Sequence, residues 1–153
     1  MTTDQTIDVA IIGGGPAGYA AAIYAARANL TTTVLEQGMS GGQIATSNEI
    51  ENYPGIPLLS GVELGERFQQ HAEGLGAQVE WSMVTGVDYD ADAAQFTIHH
   101  DMGDTTAKSV IACMGATPRP AGFVGEDTYR GRGVSYCATC DGMFFRGKQV
   151  FVI

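Results

Sequence analysis

The first apolar run along the chain predicts a buried parallel strand. This run, Ile7 to Ile12, is short, mostly apolar and rich in β-branched residues. A glycine-rich turn and an alanine-rich helix that extends to about Asn29 follow it directly, and a second apolar run, TTTVLE, ends in Glu36. Strand, turn, helix and strand in this order predict an α/β domain built on a parallel sheet.

The spacing of the glycines after the first strand predicts a dinucleotide-binding turn. Gly13, Gly15 and Gly18 form the pattern G-x-G-x-x-G. The first glycine permits a tight turn, the second lets the backbone approach a pyrophosphate, and the third lets helix and strand pack closely. Glu36 lies eighteen residues after Gly18, near the spacing of a ribose-binding acid. A solvated carboxylate at a strand end is the alternative for Glu36, and the pattern does not separate FAD from NAD.

The middle of the chain alternates helix and strand signals. Ser60 and Glu63 form a capping box, and Gly74 and Gly76 are expected to end the helix that it starts. One face of this helix carries Leu64, Phe68 and Leu75. Three segments, AQVEWSMVTGVDY, AQFTIHH and TAKSVIAC, are then expected to form short strands separated by turns.

Composition narrows the class of protein. The 153 residues are 44% hydrophobic, enough for one domain with a sizeable core. The net charge of −9 argues against nucleic acid and anionic membranes as partners, because both require a basic patch. No apolar run approaches the length of a membrane span, and the first residues lack a basic leader. We therefore expect a cytoplasmic protein.

The segment YCATCDG holds two cysteines, Cys137 and Cys140, three positions apart. A zinc site would need four ligands, and a structural disulfide across so short a loop would constrain little chain entropy. A redox role fits better, since a C-x-x-C thiolate can be stabilised by neighbouring amides and a thiol of low pKa leaves readily. Asp141 either moves the accompanying proton or begins an Asp-Gly turn.

Three further residues are expected to have no redox or metal chemistry. His99 and His100 are neighbours on a predicted strand, so they point to opposite faces and cannot easily share a metal ion. Cys113, at the end of an apolar strand, is expected to be an inert buried thiol. No metal site is predicted.

Three motifs resemble those of the low-molecular-weight thioredoxin reductases. GGQ (Gly41, Gly42, Gln43) and ENYPG (51–55) resemble that family's FAD-binding segment, and GRGVSYCATCDG resembles its active-site pattern. The resemblance covers essentially the whole chain. It implies a Rossmann-like FAD-binding parallel sheet with a β-meander in residues 1–120. Residues 121–153 would begin an NADPH-binding domain that carries the CATC motif and stops after its first strand, VFVI.

The resemblance also implies the residues that contact FAD. The implied positions are Gly13, Gly14, Gly15, Pro16, Ala17, Glu36, Gln37, Gly41, Gly42, Gln43, Asn52, Val84 and Cys140. The first five would lie along the pyrophosphate, and Glu36 and Gln37 near the adenosine ribose. Asn52 would lie toward the flavin and Val84 against the adenine, although a turn cap and a plain strand residue are alternatives for these two. Met114 replaces the family's usual threonine.

The implied activity is that of a flavoprotein disulfide reductase. Electrons would pass from NADPH through FAD to the Cys137–Cys140 disulfide and then to thioredoxin, with Asp141 as the proton shuttle. Cys140 would face the flavin, Cys137 would attack the partner's disulfide, and the intact parent would be a homodimer. A thioredoxin-like or peroxidase-reducing partner, or a non-catalytic FAD-binding remnant, are the alternatives. Since no glycine-rich NADPH turn follows VFVI, the chain is expected to be a truncated piece that by itself is inactive with NADPH.

Overall fold

The computed structural model describes residues 6–153. The chain divides into two compact units, Met1–Gly115 and Ala116–Ile153, and each is described by itself. This division falls five residues before the boundary expected between residues 120 and 121. The prediction about a leader peptide concerns in part residues 1–5, which lie outside the described range.

The first unit is built on a six-stranded mixed sheet. Its elements are β1 (Ile7–Ile12), α1 (Pro16–Arg27), β2 (Thr32–Glu36), a 3-10 turn (Gly42–Thr46), α2 (Gly61–Gly74), β3 (Gln78–Trp81), β4 (Val84–Asp90), β5 (Gln95–His100) and β6 (Gly103–Ala112). The strand order is β3-β2-β1-β6-β5-β4. Pairing is parallel from β3 to β6 and antiparallel from β6 to β4.

The expected parallel sheet with an attached meander is therefore confirmed, with one correction. The segment AQVEWSMVTGVDY contains two strands that belong to different parts of the sheet. β3 pairs in parallel with β2, because α2 carries the chain back across the sheet before β3 begins. The antiparallel meander therefore starts only at β4.

Both faces of the parallel strands are covered, which explains their continuous apolar sequence. All five residues of β2 and the last four of β1 are buried. One face packs against α1 and α2, through a cluster of Val9, Ile11, Tyr19, Ala22, Ala25, Ala26, Val34, Ala72 and Ala77. The other face carries a smaller cluster of Ala10, Leu35, Ile98 and Ala107.

The Ser60 half of the predicted capping box of α2 is formed. The Ser60 hydroxyl accepts a hydrogen bond from the Glu63 amide at 3.2 Å. The helix ends at Gly74, and Gly76 follows with a left-handed φ of 101°. Leu64 is buried, but Leu75 lies beyond the last helical residue and is largely exposed.

The second unit consists of short helical turns. These are α3 (Glu126–Tyr129), α4 (Ala138–Asp141) and a 3-10 turn (Gly142–Phe145). The prediction that VFVI forms a strand is wrong, because residues 150–153 are irregular and exposed in the structure. A strand needs a neighbouring strand for its backbone hydrogen bonds, and within residues 6–153 none pairs with this segment.

The helices of the described residues are short compared with a bilayer. The longest, α2, has 14 residues, whereas a span needs about 20 apolar ones. Within residues 6–153, none of the helices has the length and apolar character to cross a membrane.

Candidate functional site

The glycine turn between β1 and α1 has no room for side chains at two positions. Gly13 has a left-handed φ of 104°, and a Cβ there would lie 2.4 Å from the carbonyl oxygen of Cys113. A Cβ on Gly18 would lie 1.8 Å from the Gly13 carbonyl oxygen. Because real Cβ atoms do not approach other atoms so closely, this tight packing of helix on strand requires glycine at both positions.

Between these two glycines, residues 15–17 leave open space in front of the first turn of α1. A Cβ on Gly15 would meet only the Gly41 carbonyl oxygen, at 3.9 Å. Pro16 occupies the first turn of α1, where a missing amide costs nothing, and Ala17 is exposed beside it. The remaining first-turn amides have no partner within the helix, so open space at this point suits an anionic group such as a pyrophosphate.

Glu36 lies against this turn and is not the solvated carboxylate of the alternative interpretation. Its side chain is only 9% exposed. One carboxylate oxygen accepts from the Gly14 amide at 2.5 Å and the other from the Gly38 amide at 2.7 Å. The parallel sheet explains this position, because the carboxyl ends of β1 and β2 lie side by side. Gln37, the neighbouring predicted residue, is exposed.

The loop that carries GGQ packs directly on the glycine turn. The Gly41 amide donates to the Gly14 carbonyl oxygen at 2.8 Å. A Cβ on Gly42 would lie 3.4 Å from the Gly15 Cα, and Gln43 is exposed next to it. Two segments that the sequence separates by more than twenty residues therefore form one surface.

A chain of hydrogen bonds that runs from a buried tyrosine to the surface beneath this loop was not predicted. The Tyr19 ring is completely buried, and its hydroxyl lies 2.7 Å from the Ser40 hydroxyl. Ser40 donates to the Gln69 side chain, which in turn donates to Glu73 at 2.9 Å. Burial raises the pKa of Tyr19, so the hydroxyl stays protonated. A tyrosine on the inner side of an alanine-rich helix was the only signal in the sequence.

A cavity of about 340 Å³ opens beside the glycine turn. Its lining residues are Pro16, Ile44, Ser47, Ile50, Asn52, Tyr53, Leu64 and Phe68. Two of these, Pro16 and Asn52, were predicted from different motifs, and the structure brings them together. The mostly apolar lining with one amide group is typical of a site for a small organic ligand.

Val84 does not lie in this cavity. It is the first residue of β4, pairs with His100, and is partly buried against the cluster of Ala10, Leu35, Ile98 and Ala107. Met114 is largely exposed just after β6. The contact of Val84 with a cofactor remains a prediction.

In the second unit, Cys137 and Cys140 form a disulfide, as predicted. Cys137 is the N-cap of α4, and its sulfur accepts a hydrogen bond from the Cys140 amide at 3.1 Å. Cys140 is exposed, whereas Cys137 is half-buried. A donor amide beside a cysteine sulfur favours the thiolate form once the disulfide opens.

Asp141 interacts with the cysteine turn through Ser135. The Ser135 hydroxyl donates to the Asp141 carboxylate at 2.5 Å and accepts from the Cys137 amide at 3.1 Å. The Asp141 amide donates to the Cys137 carbonyl oxygen at 3.0 Å. Sequence reasoning missed Ser135, because serine is common in turns.

The histidines and the third cysteine behave largely as expected. His99 is exposed between Asp88 and Asp104, whereas the His100 ring is buried and approaches Glu80 at 3.7 Å. Their rings therefore occupy opposite faces of β5. Cys113 is free but only partly buried, and burial raises its thiol pKa. Within residues 6–153, His, Cys, Asp and Glu form no group of three or more that could hold a metal ion.

The site defines a class of protein that comparison with known families supports. A family model described as pyridine nucleotide-disulphide oxidoreductase matches residues 7–153, and the chain belongs to this family. It is 40% identical over its whole length to a thioredoxin reductase of Bacillus subtilis and 47% identical to that of Treponema pallidum. The crystal structure of a Streptococcus pyogenes thioredoxin reductase covers 94% of the chain, with 41% identity and a TM-score of 0.80.

These relatives are about twice as long as the chain. The alignments span 48% of the Bacillus subtilis protein and 49% of the Treponema pallidum protein. For the Streptococcus pyogenes structure the share is 46%. The chain thus spans about half the length of the curated relatives that it matches.

Proposed function

We propose that this chain supplies the FAD-binding and dithiol-bearing part of an NADPH-dependent thioredoxin-disulfide reductase. The observation that carries the proposal is the Cys137–Cys140 disulfide at the start of α4. It occurs in a chain 40% to 47% identical to thioredoxin reductases. The glycine turn and its open space provide the independent support for a dinucleotide cofactor.

The residues of the first unit fit FAD. The amides of the first turn of α1, after Gly15, would bind the pyrophosphate, and Glu36 would accept from the adenosine ribose through lone pairs that its backbone donors leave free. Pro16 and Asn52 would contact the flavin end through the cavity. When bound, the flavin supplies the transfer of an electron pair from a reduced pyridine nucleotide to the disulfide.

The cysteine pair would exchange electrons with a protein disulfide. Two electrons and two protons convert the Cys137–Cys140 disulfide to a dithiol. The Cys137 thiolate then attacks the partner's disulfide and forms a mixed disulfide, while one partner sulfur leaves as a thiolate. Cys140 attacks the Cys137 sulfur, the partner leaves as a dithiol, and the original disulfide reforms.

The surroundings of the two sulfurs support this division of roles. The Cys140 amide, which donates to the Cys137 sulfur at 3.1 Å, would stabilise the attacking thiolate. Asp141 would hold or release the proton that exchange requires, and its hydrogen bond from Ser135 keeps it beside the turn.

The proposal extends to the protein partner and to the cellular compartment. Thioredoxin or a thioredoxin-like protein is the proposed electron acceptor, because the relatives bear its name. A dithiol that reduces proteins works best in a reducing compartment, and we therefore propose the cytoplasm. Homodimer formation, and the absence of nucleic-acid or membrane partners, remain predictions.

A chimera tests the function. Residues 1–153 would be joined to the remaining half of the Bacillus subtilis relative, and NADPH oxidation would be followed with and without oxidised thioredoxin. We expect thioredoxin-dependent turnover by the chimera and by its Cys113→Ser variant, and none by Cys140→Ser. Turnover that survives Cys140→Ser would refute the assigned role of the pair, and a chimera that binds FAD but does not turn over would refute the proposed function.

A further inference from the structure

We propose that Glu126 and Tyr136 position the redox-active turn and thereby set the disulfide–dithiol equilibrium of Cys137 and Cys140. This inference rests on the proposed exchange function of that pair. Both residues belong to the second unit, and neither has a role in the chemistry described above.

Glu126 is a buried carboxylate with a complete set of donors. It is only 5% exposed although it lies on the short helix α3. Its two oxygens accept from the amides of Ala121 at 2.8 Å and Gly122 at 2.6 Å, and the Tyr136 hydroxyl donates to one of them as well. Burying a carboxylate is costly unless it is hydrogen-bonded, so these donors explain how the charge is accommodated.

Tyr136 connects this carboxylate to the disulfide. It immediately precedes Cys137, so its position fixes where the cysteine turn begins. Besides the hydroxyl bond to Glu126, the Arg130 guanidinium lies 5.0 Å from the centre of its ring. The side chain of Tyr136 is therefore held at its ring and at its tip.

The turn itself has little other support. Ala138, Thr139 and Cys140 are exposed, and within the described residues none of them belongs to a hydrophobic core cluster. Ser135 contributes hydrogen bonds to Cys137 and Asp141, but it is exposed too. Tyr136 is therefore the half-buried side chain through which the turn is attached to the rest of the second unit.

An attachment of this kind changes the redox equilibrium. Closing a disulfide requires the two sulfurs to be held near each other, and the bond is favoured in proportion to how often the open dithiol adopts that arrangement. With Tyr136 released from Glu126, the reduced turn would sample more conformations, and the disulfide would become easier to reduce. Opening by a small thiol would also become faster, since attack on a sulfur needs access to it.

The test is the equilibrium of the 153-residue chain with glutathione buffers of graded composition, followed by alkylation and mass mapping of the cysteines. Tyr136→Phe removes one oxygen atom and keeps the ring under Arg130. We expect it to lower the equilibrium constant for forming the disulfide from the dithiol about threefold to tenfold. This corresponds to a rise in the reduction potential of the pair of about 15–30 mV. Glu126→Gln should shift it in the same direction, and the double variant should shift less than the sum of the two.

Matched controls separate positioning from general disturbance. Tyr129→Phe and Asp127→Asn change exposed residues of the same helix, and both should keep the wild-type equilibrium. Equilibrium constants of Tyr136→Phe and Tyr129→Phe that agree within about a factor of two would overturn the inference and leave the proposed function untouched. Should Glu126→Gln fail to fold, Tyr136→Phe alone decides. A wild-type pair that does not exchange with any buffer would refute both this inference and the proposed function.

Discussion

The glycine turn of the first unit and the cysteine turn of the second unit are built in opposite ways. Around Gly13 and Gly18 the backbone is packed so closely that a single methyl group has no place. Around Cys137 and Cys140 the chain is largely exposed and is held by a few side-chain hydrogen bonds. A site that only binds a cofactor gains from rigid, preformed donors, whereas a disulfide that must react with another protein has to be accessible.

The comparison predicts that substitutions in the two turns have separable effects. Changes at the glycine turn should alter stability and FAD affinity and leave thiol exchange intact. Changes at the cysteine turn, apart from those at Cys140, should alter exchange and leave FAD affinity intact.

Gly18→Ala should have the largest effect. The new Cβ would lie 1.8 Å from the Gly13 carbonyl oxygen, so helix and strand would have to separate. We expect a loss of about 3 kcal/mol of unfolding free energy together with loss of FAD binding, measured by urea unfolding and flavin titration.

Gly74→Ala provides the matched control. It also adds one methyl group to a helical glycine, but nothing lies within 4 Å of the new Cβ. It should be neutral or stabilise the protein by up to about 1 kcal/mol. Equal stability of the two variants would contradict the close packing described for the glycine turn.

Glu36→Gln should weaken FAD binding about tenfold or more. The remaining oxygen of the glutamine side chain can still accept one hydrogen bond. Its NH₂ group cannot accept, so either the Gly14 amide or the Gly38 amide loses its acceptor, and the negative charge is lost as well. Glu49→Gln, at an exposed position, is the control and should bind FAD as the wild type does. An unchanged affinity of Glu36→Gln would show that the ribose contact is misassigned.

Tyr19→Phe should reduce FAD affinity about threefold to tenfold and stability by about 1 kcal/mol. The change removes the buried partner of Ser40, the residue that leads into Gly41 and Gly42. Tyr24→Phe on the same helix is the control, because Tyr24 is 76% exposed. If both variants bind FAD equally well, the hydrogen-bond chain does not position the loop.

The smallest effect concerns His99, at the surface of the meander. Hydrogen bonds from its ring to Asp104 and then to Asp88 raise its pKa above the ordinary 6.5. Because the folded pKa is the higher one, the stabilising contribution is complete below about pH 6.5 and is lost as the pH rises through the folded value. Asp104→Asn should lower the His99 pKa in an NMR titration, and a wild-type pKa at or below 6.5 would contradict this interpretation.

The sequence predicted the elements that depend on local pattern. Apolar runs, the Ser60 capping box and the glycine spacing gave β1, α1, β2 and α2, because each signal lies within a few residues. The strand predicted at residues 150–153 was wrong, since its apolar pattern could not reveal that none of the strands in the described part of the chain pairs with it. For a related reason the sequence did not reveal that AQVEWSMVTGVDY supplies strands to two parts of the sheet, because the choice of partner for β3 depends on the path of α2.

The candidate site was predictable only where a motif carries it. Sequence spacing reveals the glycines of the turn, Glu36 and the cysteine pair, because the local backbone geometry of each feature requires that spacing. Ser40, Gln69, Ser135, Glu126 and Tyr136 make contacts that the sequence does not reveal, because ordinary polar residues occur in many turns and helices. These supporting contacts appear only when the fold brings distant side chains together.

The central claim is that the FAD site and the Cys137–Cys140 pair serve one electron path. It is tested most directly by adding one equivalent of NADPH to the oxygen-free chimera, quenching with an alkylating reagent, and mapping the labelled cysteines of this chain by mass spectrometry. We predict new labels on Cys137 and Cys140 in the FAD-loaded protein, none in the FAD-free protein, and an unchanged label on Cys113. Equal labelling of the pair with and without FAD, or no labelling in the loaded protein, would contradict the account.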